Sequence, residues 1–275
     1  MLKLSDPACD AAFRRSGYAV IPLLDAAAVA ALREDWDKRE DSVQAWPYAA
    51  SLYSPDVEFR RATHAVIAGT IGPALAQAVP DAELVFAGFA CKAANEPASI
   101  VPFHQDPSFV DETRWGAANI WIPLVDLDES NGPLWAVPGS HRFNADCRGF
   151  NQLFAYSGLE PDLAELARPI HARAGEAVVF AHSLFHFSPP NLSPAPRLAA
   201  GGLLAERGAI LRYPYVDPEA RDWIDLYDAD PALFLEAPIS TRPARTLVKR
   251  IPVQSQRANI EDIRRCHAEL ALQSD

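Results

Sequence analysis

The chain has 275 residues, 49% of them hydrophobic, and a formal net charge of −11. The apolar content suffices for one sizeable core, and the acidic balance argues against nucleic acid or an anionic membrane as the main partner. No apolar run reaches the length of about 18 residues that a membrane span needs, and MLKLSDPACDAAFRRSGY lacks the apolar stretch of a signal peptide, so a cytoplasmic protein is expected. Asp10 to Gly17 then reads as a short helix ending at glycine, and YAVIPLL (18–24) as an apolar, β-branched strand. Asp25 caps a helix whose apolar residues Val29, Leu32 and Trp36 recur at helical spacing. A second helix is expected over Val57 to Val79.

From about Glu83 the pattern changes. LVFAGFACK, SIVPFHQ, AANIWIPLVDL, LWAVPG, AVVFAH and RLAAGGLLAE are short strand-like runs separated by Gly, Pro, Asn and Asp. Such spacing predicts an antiparallel sandwich or barrel, with core strands over about 83–213. A doubly wound parallel sheet would need long helices between the strands. The segments 143–172 and 214–245 read as lid-like loop excursions over that core. IEDIRRCHAELAL reads as a terminal helix, and with no repeat or linker the chain, 1–275, reads as a single domain. Cys9, Cys91, Cys147 and Cys266 are widely spaced, the pattern of free thiols in a reducing compartment and not of a zinc site or disulfide framework.

The chemistry starts in FHQDPSF. His104 and Asp106 are one residue apart, so on a strand they project to one face and can share a metal ion. The comparable pair His267 and Glu269 lies in the expected terminal helix, where residues two apart do not face each other. A third ligand is expected on a distant strand of the same core, and AVVFAHSLFHFSPPN offers His182 and His186. The His-x-Ser-x-x-Asn that begins at His186, and Arg197 eleven residues on, favour His186; His182 stays open as the ligand or as its neighbour. Two histidines and one carboxylate on one face of an octahedron leave positions for cosubstrate and O2, the arrangement of non-haem Fe(II) oxygenases. Zinc hydrolysis, the competing chemistry, gives Arg197 no task. The Arg197 guanidinium could grip a carboxylate bidentately.

Together these residues resemble the phytanoyl-CoA dioxygenase family, the iron and 2-oxoglutarate oxygenases that include ectoine hydroxylase. The resemblance runs through GYAVIPLLDAAAVAALRE, HQD, NIWIPLVDLDESNGPLWAVPGSHR and HFSPPNLSPAPR. It implies a mainly β fold, a double-stranded β-helix or jelly-roll barrel with flanking α-helices. It implies that His104, Asp106 and His186 ligate Fe(II), that Arg197 binds the distal carboxylate of 2-oxoglutarate with Ser188 near it, and that Trp121 and Gln105 border the cosubstrate. Asn131, Gly132, Pro138, Gly139 and Ser140 match family turn positions. The reaction implied consumes 2-oxoglutarate and O2, releases succinate and CO2, and oxidises an unactivated C–H bond. Halogenating relatives carry Gly or Ala in place of the carboxylate ligand, so Asp106 points to hydroxylation, with desaturation, epimerisation or cyclisation as alternatives of the same chemistry. A metal- or ligand-binding jelly roll without activity is the reading from another class.

For the substrate, Lys92, Asn95, Arg207 and Arg212 are polar candidates to meet an anion, and Phe103, Phe109, Tyr156, Phe185 and Phe187 candidates to line an apolar pocket. The absence of a basic patch argues against a CoA thioester and for a small metabolite or natural-product intermediate. The oligomeric state is not legible in the sequence.

Overall fold

The computed structural model describes residues 1–39, 47–143, 147–254 and 258–272. Helix α1 (Pro7–Ser16) begins earlier than Asp10 because Asp6 caps it, its carboxylate accepting from the Cys9 N–H, and it stops at Gly17, whose φ of 85° ends the turn. Strand β1 (Tyr18–Pro22) follows, then α2 (Ala26–Asp37), where the Asp25 side chain accepts from the Ala28 N–H and Val29, Leu32 and Trp36 are buried. Strand β2 (Tyr48–Ala50) precedes α3 (Val57–Ala78), which Asp56 caps.

The core strands are β3 (Ala82–Lys92), β4 (Val101–His104), β5 (Ala117–Pro123) and β6 (Trp135–Ala136), then, after α4 (Glu160–Leu166), β7 (Arg168–Pro169), β8 (Glu176–Phe180), β9 (His186–Ser188) and β10 (Arg197–Glu206). They form a six-stranded sheet in the order β1-β8-β5-β10-β3-β2 and a four-stranded sheet β4-β9-β6-β7. The strand pairs within both are antiparallel. This is the jelly-roll sandwich with flanking helices.

Side-chain alternation decides what faces the inside. Ala19, Ile21, Ala177, Val179, Ile120, Ile122, Leu198 and Ala200 pack with Phe13, Leu32 and Ile71 of the helices on the outer face of the large sheet. Their strand neighbours Tyr18, Val20, Val178, Phe180 and Trp121 point the other way, to meet Leu134 and Ala136 of the loop and strand opposite. A period of two thus sends Asn119, Trp121 and Arg197 into the space between the sheets. A slip of one residue in β10 would replace Arg197 there with Leu198.

One expectation fails. The segment 214–245 is not a loop excursion, because β11 (Arg212–Asp217) and β12 (Ala220–Asp228) pair with each other, and β12 with β13 (Leu247–Pro252), as a third sheet. Two features hid it. Pro214 sits in β11, which is an edge strand of that sheet, the place where a strand tolerates proline. Asp225, only 3% exposed, is neutralised by Arg250 at 2.6 Å and Arg242 at 3.5 Å. A short helix α5 (Leu233–Glu236) buries Phe234, and α6 (Ile260–Leu272) closes the chain as expected. The 143–172 excursion contains α4 and β7, with residues 144–146 outside the described residues. Among the described residues no helix is long and apolar enough to cross a membrane.

Candidate metal centre and its cavities

His104 ends β4 and His186 begins β9, and the two are register partners across the small sheet. Their rings sit 4.1 Å apart, centroid to centroid. Asp106 lies beyond the strand, so the simple strand argument for the His104–Asp106 pair does not hold. A loop places the carboxylate instead, held by a hydrogen bond of 2.8 Å from the Asp106 N–H to the His182 carbonyl. His104 Nε2 is 3.7 Å from Asp106 Oδ1 and His186 Nε2 is 3.5 Å from Asp106 Oδ2. One ligand atom from each residue falls within 4.8 Å of the others. His182 is not in this set.

Backbone carbonyls set both imidazole tautomers. His104 Nδ1 lies 2.8 Å from the Pro102 carbonyl and His186 Nδ1 lies 2.9 Å from that of Leu184. Each Nδ1–H therefore donates outward and leaves the Nε2 lone pair facing the carboxylate, as a metal ligand requires. Burial, then the neighbouring His104, pushes the His186 pKa down to about 4, so its Nε2 carries no proton at neutral pH. For Asp106 burial works toward protonation, but His186, His104, His182 and Arg148 outweigh it and lower the pKa. Asn119 donates to Asp106 Oδ2 at 2.6 Å.

A second layer of contacts holds the Asp106 loop. Arg148, 3% exposed, donates from Nε to the Asp106 carbonyl at 2.8 Å and from Nη2 to Glu112 at 2.6 Å. Its backbone also pairs with Ser108. Burial opposes the charge on Glu112, yet Arg148 and His182 bring its pKa to about 2. His182 Nδ1 stands 3.8 Å from the Glu112 carboxylate, beyond hydrogen-bond reach, and its ring packs edge-on against Phe109.

Two cavities meet at His104 and Asp106. The smaller, about 170 Å³, is bordered by Tyr48, Trp121, Phe187, Ser188 and Arg197. Arg197 is 2% exposed, its guanidinium carbon lies 5.2 Å from the centre of the Trp121 ring, and its Nε and Nη1 have no hydrogen-bond partner among the described residues. A buried cation with two unmet donors is costly unless an anion completes it. Ser188 donates its hydroxyl to the Gly132 carbonyl at 2.9 Å. Gly132, at φ 70°, admits this approach, since a Cβ there would fall 2.5 Å from the Pro189 carbonyl oxygen. The larger cavity, about 400 Å³, is bordered by Gln105 and Phe109 among others. Gln105 also donates to the Ser183 carbonyl at 2.6 Å.

The remaining candidates lie elsewhere. Lys92 is fully buried beside Arg197 but spends its ammonium on the carbonyls of Ser188 and Pro189, and burial, then the Arg197 charge, lowers its pKa to about 7. It is a strut behind the Arg197 side of the barrel, not a wall of either cavity. Asn95 is an exposed turn residue with φ 49°. Arg207 is exposed and reaches the carbonyls of Pro80 and Ala82, while Arg212 pairs with Asp111. Tyr156, 1% exposed, packs with Phe154 and Phe185 and donates to the Phe143 carbonyl. Phe103 belongs to the same aromatic cluster. None of these residues borders either cavity. Sequence reasoning missed Asn119, Tyr48, Glu112 and Arg148, which carry no motif spacing. Only the alternation that places Trp121 inward could have pointed to Asn119, two residues before it.

The sequence matches the phytanoyl-CoA dioxygenase (PhyH) family over residues 13–199, about two thirds of the chain. Phytanoyl-CoA dioxygenase 1 of Oryza sativa subsp. japonica is 35% identical over 104 residues, 36% of each chain. A phytanoyl-CoA dioxygenase domain-containing protein 1 of Danio rerio is 32% identical over 102 residues, 34% of this chain and 35% of the relative. These alignments span about a third of the length of those relatives. Among solved structures, the carbocyclase SnoK from nogalamycin biosynthesis superposes with a TM-score of 0.53 at 20% identity, over 75% of this chain and 86% of that one. EctD from S. alaskensis does so with 0.51 at 21%, over 75% and 79%. At such identity the likeness speaks to the fold. With the family match extending across β1 to the first residues of β10 and taking in all three members of the His104–Asp106–His186 set, the chain belongs to the phytanoyl-CoA dioxygenase family.

Proposed function

We propose that this protein is an Fe(II)- and 2-oxoglutarate-dependent dioxygenase that hydroxylates an unactivated C–H bond of a small metabolite or natural-product intermediate. The observation that carries the reading is Arg197, a buried guanidinium whose Nε and Nη1 find no partner among the described residues and which borders the same cavity as the proposed metal set. The residues present fit both groups. Two imidazole Nε2 atoms and one carboxylate are the mixed donor set that ferrous iron takes with open positions to spare. A dicarboxylate anchored at the iron would satisfy the guanidinium bidentately. Bound together, iron, 2-oxoglutarate and O2 supply the oxidising equivalents, with succinate and CO2 as the coproducts of C–H oxidation.

The chain's own residues bind, orient and shield. His104, Asp106 and His186 would hold the metal, and Asn119 and Arg148 keep the carboxylate where it is needed. Arg197 would take the distal carboxylate, beside Ser188 and Trp121. Phe180 and Phe187 exclude water from that side. Four free cysteines fit a reducing cytoplasm, and the chain works as one domain in this reading. SnoK is named a carbocyclase and SnoN an epimerase, so product mass has to decide the outcome. The test is a metabolite screen for substrate-dependent succinate, with mass spectrometry of the product. Gain of one oxygen atom supports hydroxylation, and loss of two hydrogens without oxygen gain overturns it in favour of desaturation or ring closure. No succinate with any substrate, from protein shown to bind iron and 2-oxoglutarate, would leave a binding protein in place of an enzyme.

A further inference from the structure

The cavity that does not hold Arg197 differs from its neighbour in chemistry. It measures about 400 Å³ and opens onto His104 and Asp106. Among the described residues that border it, those two are the only acidic, basic or imidazole side chains; lysine, arginine and glutamate are missing from its wall. Its polar contacts come from neutral groups such as Gln152, whose carboxamide is fixed by the Gly149 N–H at 2.9 Å.

Shape adds a second constraint. Gly88 of β3 and Gly201 of β10, both on the wall, are register partners. Neither has room for a side chain: a Cβ would fall 2.6 Å from Ser51 Oγ and 2.8 Å from Leu52 Cγ at Gly88, so Leu52 covers that point, and 2.7 Å from the Ile120 carbonyl oxygen at Gly201. Beside them Phe86, Phe109 and Phe150 stand edge to face, at 5.7 Å and 68° for the first pair and 5.6 Å and 74° for the second. A flat ring in this cavity can present its faces and edges to the phenyl rings. A charged group would lose its hydration here without a counter-charge.

We propose that this cavity takes a neutral, ring-bearing substrate, a flat linked- or fused-ring molecule carrying hydroxyl or carbonyl groups, and not an acyl-CoA thioester or a small zwitterion. The proposal rests on the metal-centre reading above, and it fixes the substrate class for that site. The phosphates of a CoA thioester call for cations that the wall lacks. A zwitterion would leave one of its charges facing phenylalanine.

The test is equilibrium binding, followed by tryptophan fluorescence and calorimetry, to protein loaded with Mn(II) and 2-oxoglutarate so that no turnover intervenes. The probes are an unsubstituted flavanone, a steroid ketone, hexadecanoyl-CoA and ectoine. At least one neutral ring compound should bind about tenfold or more tighter than either charged probe. Phe150→Leu, which keeps apolar volume but removes the ring, should weaken that binding by about fivefold or more while Mn(II) and 2-oxoglutarate still bind. A charged probe that binds as tightly as the best ring compound overturns the proposal. So does failure of both ring compounds to bind at about 1 mM. Should Phe150→Leu fold poorly, the ranking of probes on the unaltered protein decides alone. Failure to load Mn(II) and 2-oxoglutarate strikes the proposed function instead, and the ranking is then read on the metal-free protein.

Discussion

Replacing Arg197 with Met separates a cosubstrate grip from a structural arginine, because the two roles predict opposite signs. Arg197 is desolvated in the folded chain, with Nε and Nη1 unmet. Its hydration is thus lost on folding, and any bond to a carboxylate appears directly in affinity. Charge-assisted hydrogen bonds contribute about 1.5–3 kcal/mol each, so two give about 3–6 kcal/mol, or roughly 10²- to 10⁴-fold in 2-oxoglutarate affinity. Stability should move the other way or not at all. Removing a buried, unpartnered charge relieves about 1–3 kcal/mol, against about 0.5–2 kcal/mol lost from the contact with the Trp121 ring. The metal-free Arg197→Met protein should therefore melt at the same temperature or up to a few degrees higher. Calorimetric titration of 2-oxoglutarate into Mn(II)-loaded protein, beside scanning calorimetry of the metal-free form, reads both numbers. Arg197→Lys, which keeps the charge but not the planar fork, should fall between the extremes. A variant that binds 2-oxoglutarate within about threefold of the parent, yet melts well below it, would show that Arg197 serves the fold and not the cosubstrate.

Other consequences follow from the contacts around Asp106. Asn119→Ala removes the donor to Asp106 Oδ2 and should weaken metal affinity about 10- to 100-fold, measured by competition with a chelating dye; unchanged affinity would make that hydrogen bond incidental. Arg148→Ala should cost a similar factor because the Asp106 loop loses its tie, and Arg148→Lys should recover part of it; equal loss in both would point to the planar fork, not the charge. Acid should destabilise the metal-free protein in two windows. His141 and His186 have folded values of about 4, below the ordinary histidine value of 6.5, so the stability present above 6.5 is lost as pH falls toward 4. Glu112, at about 2 against 4.5, contributes stability above 4.5 that is lost as pH falls toward 2, up to about 3 kcal/mol. Urea midpoints across this range should show the lower window disappear in Glu112→Gln; its persistence would assign the window to another carboxylate.

What the sequence disclosed and what it hid have physical reasons. Helix α2 announced itself by its capping Asp25 and the helical spacing of Val29, Leu32 and Trp36, which are local signals. The strands β3, β5, β8 and β10 were legible because both their faces are buried, which makes apolar runs. The proposed metal set was read through chemistry more than geometry: His104 is on a strand as expected, but Asp106 reaches the His104–His186 pair through a loop whose course depends on His182 and on Arg148, 42 residues away. Such ties leave no local pattern. The third sheet was read as loop because Pro214 and Asp225 are disfavoured in strands, and only the edge position of one and the arginine partners of the other make them tolerable. Lys92 looked like a polar group near the site and is one, but its ammonium is turned to the Ser188 and Pro189 carbonyls. Periodicity shows which side of a strand a residue takes, not how far its side chain reaches.

The most direct measurement of the central claim is an anaerobic titration of Fe(II) and 2-oxoglutarate into the parent protein and into Asp106→Ala, followed by exposure to O2 and quantification of succinate. The account predicts one iron and one 2-oxoglutarate bound per chain, succinate formed from the ternary sample, and loss of both iron binding and succinate in Asp106→Ala. Equal iron binding and succinate in parent and variant would contradict the assignment of the His104–Asp106–His186 set as the catalytic metal centre.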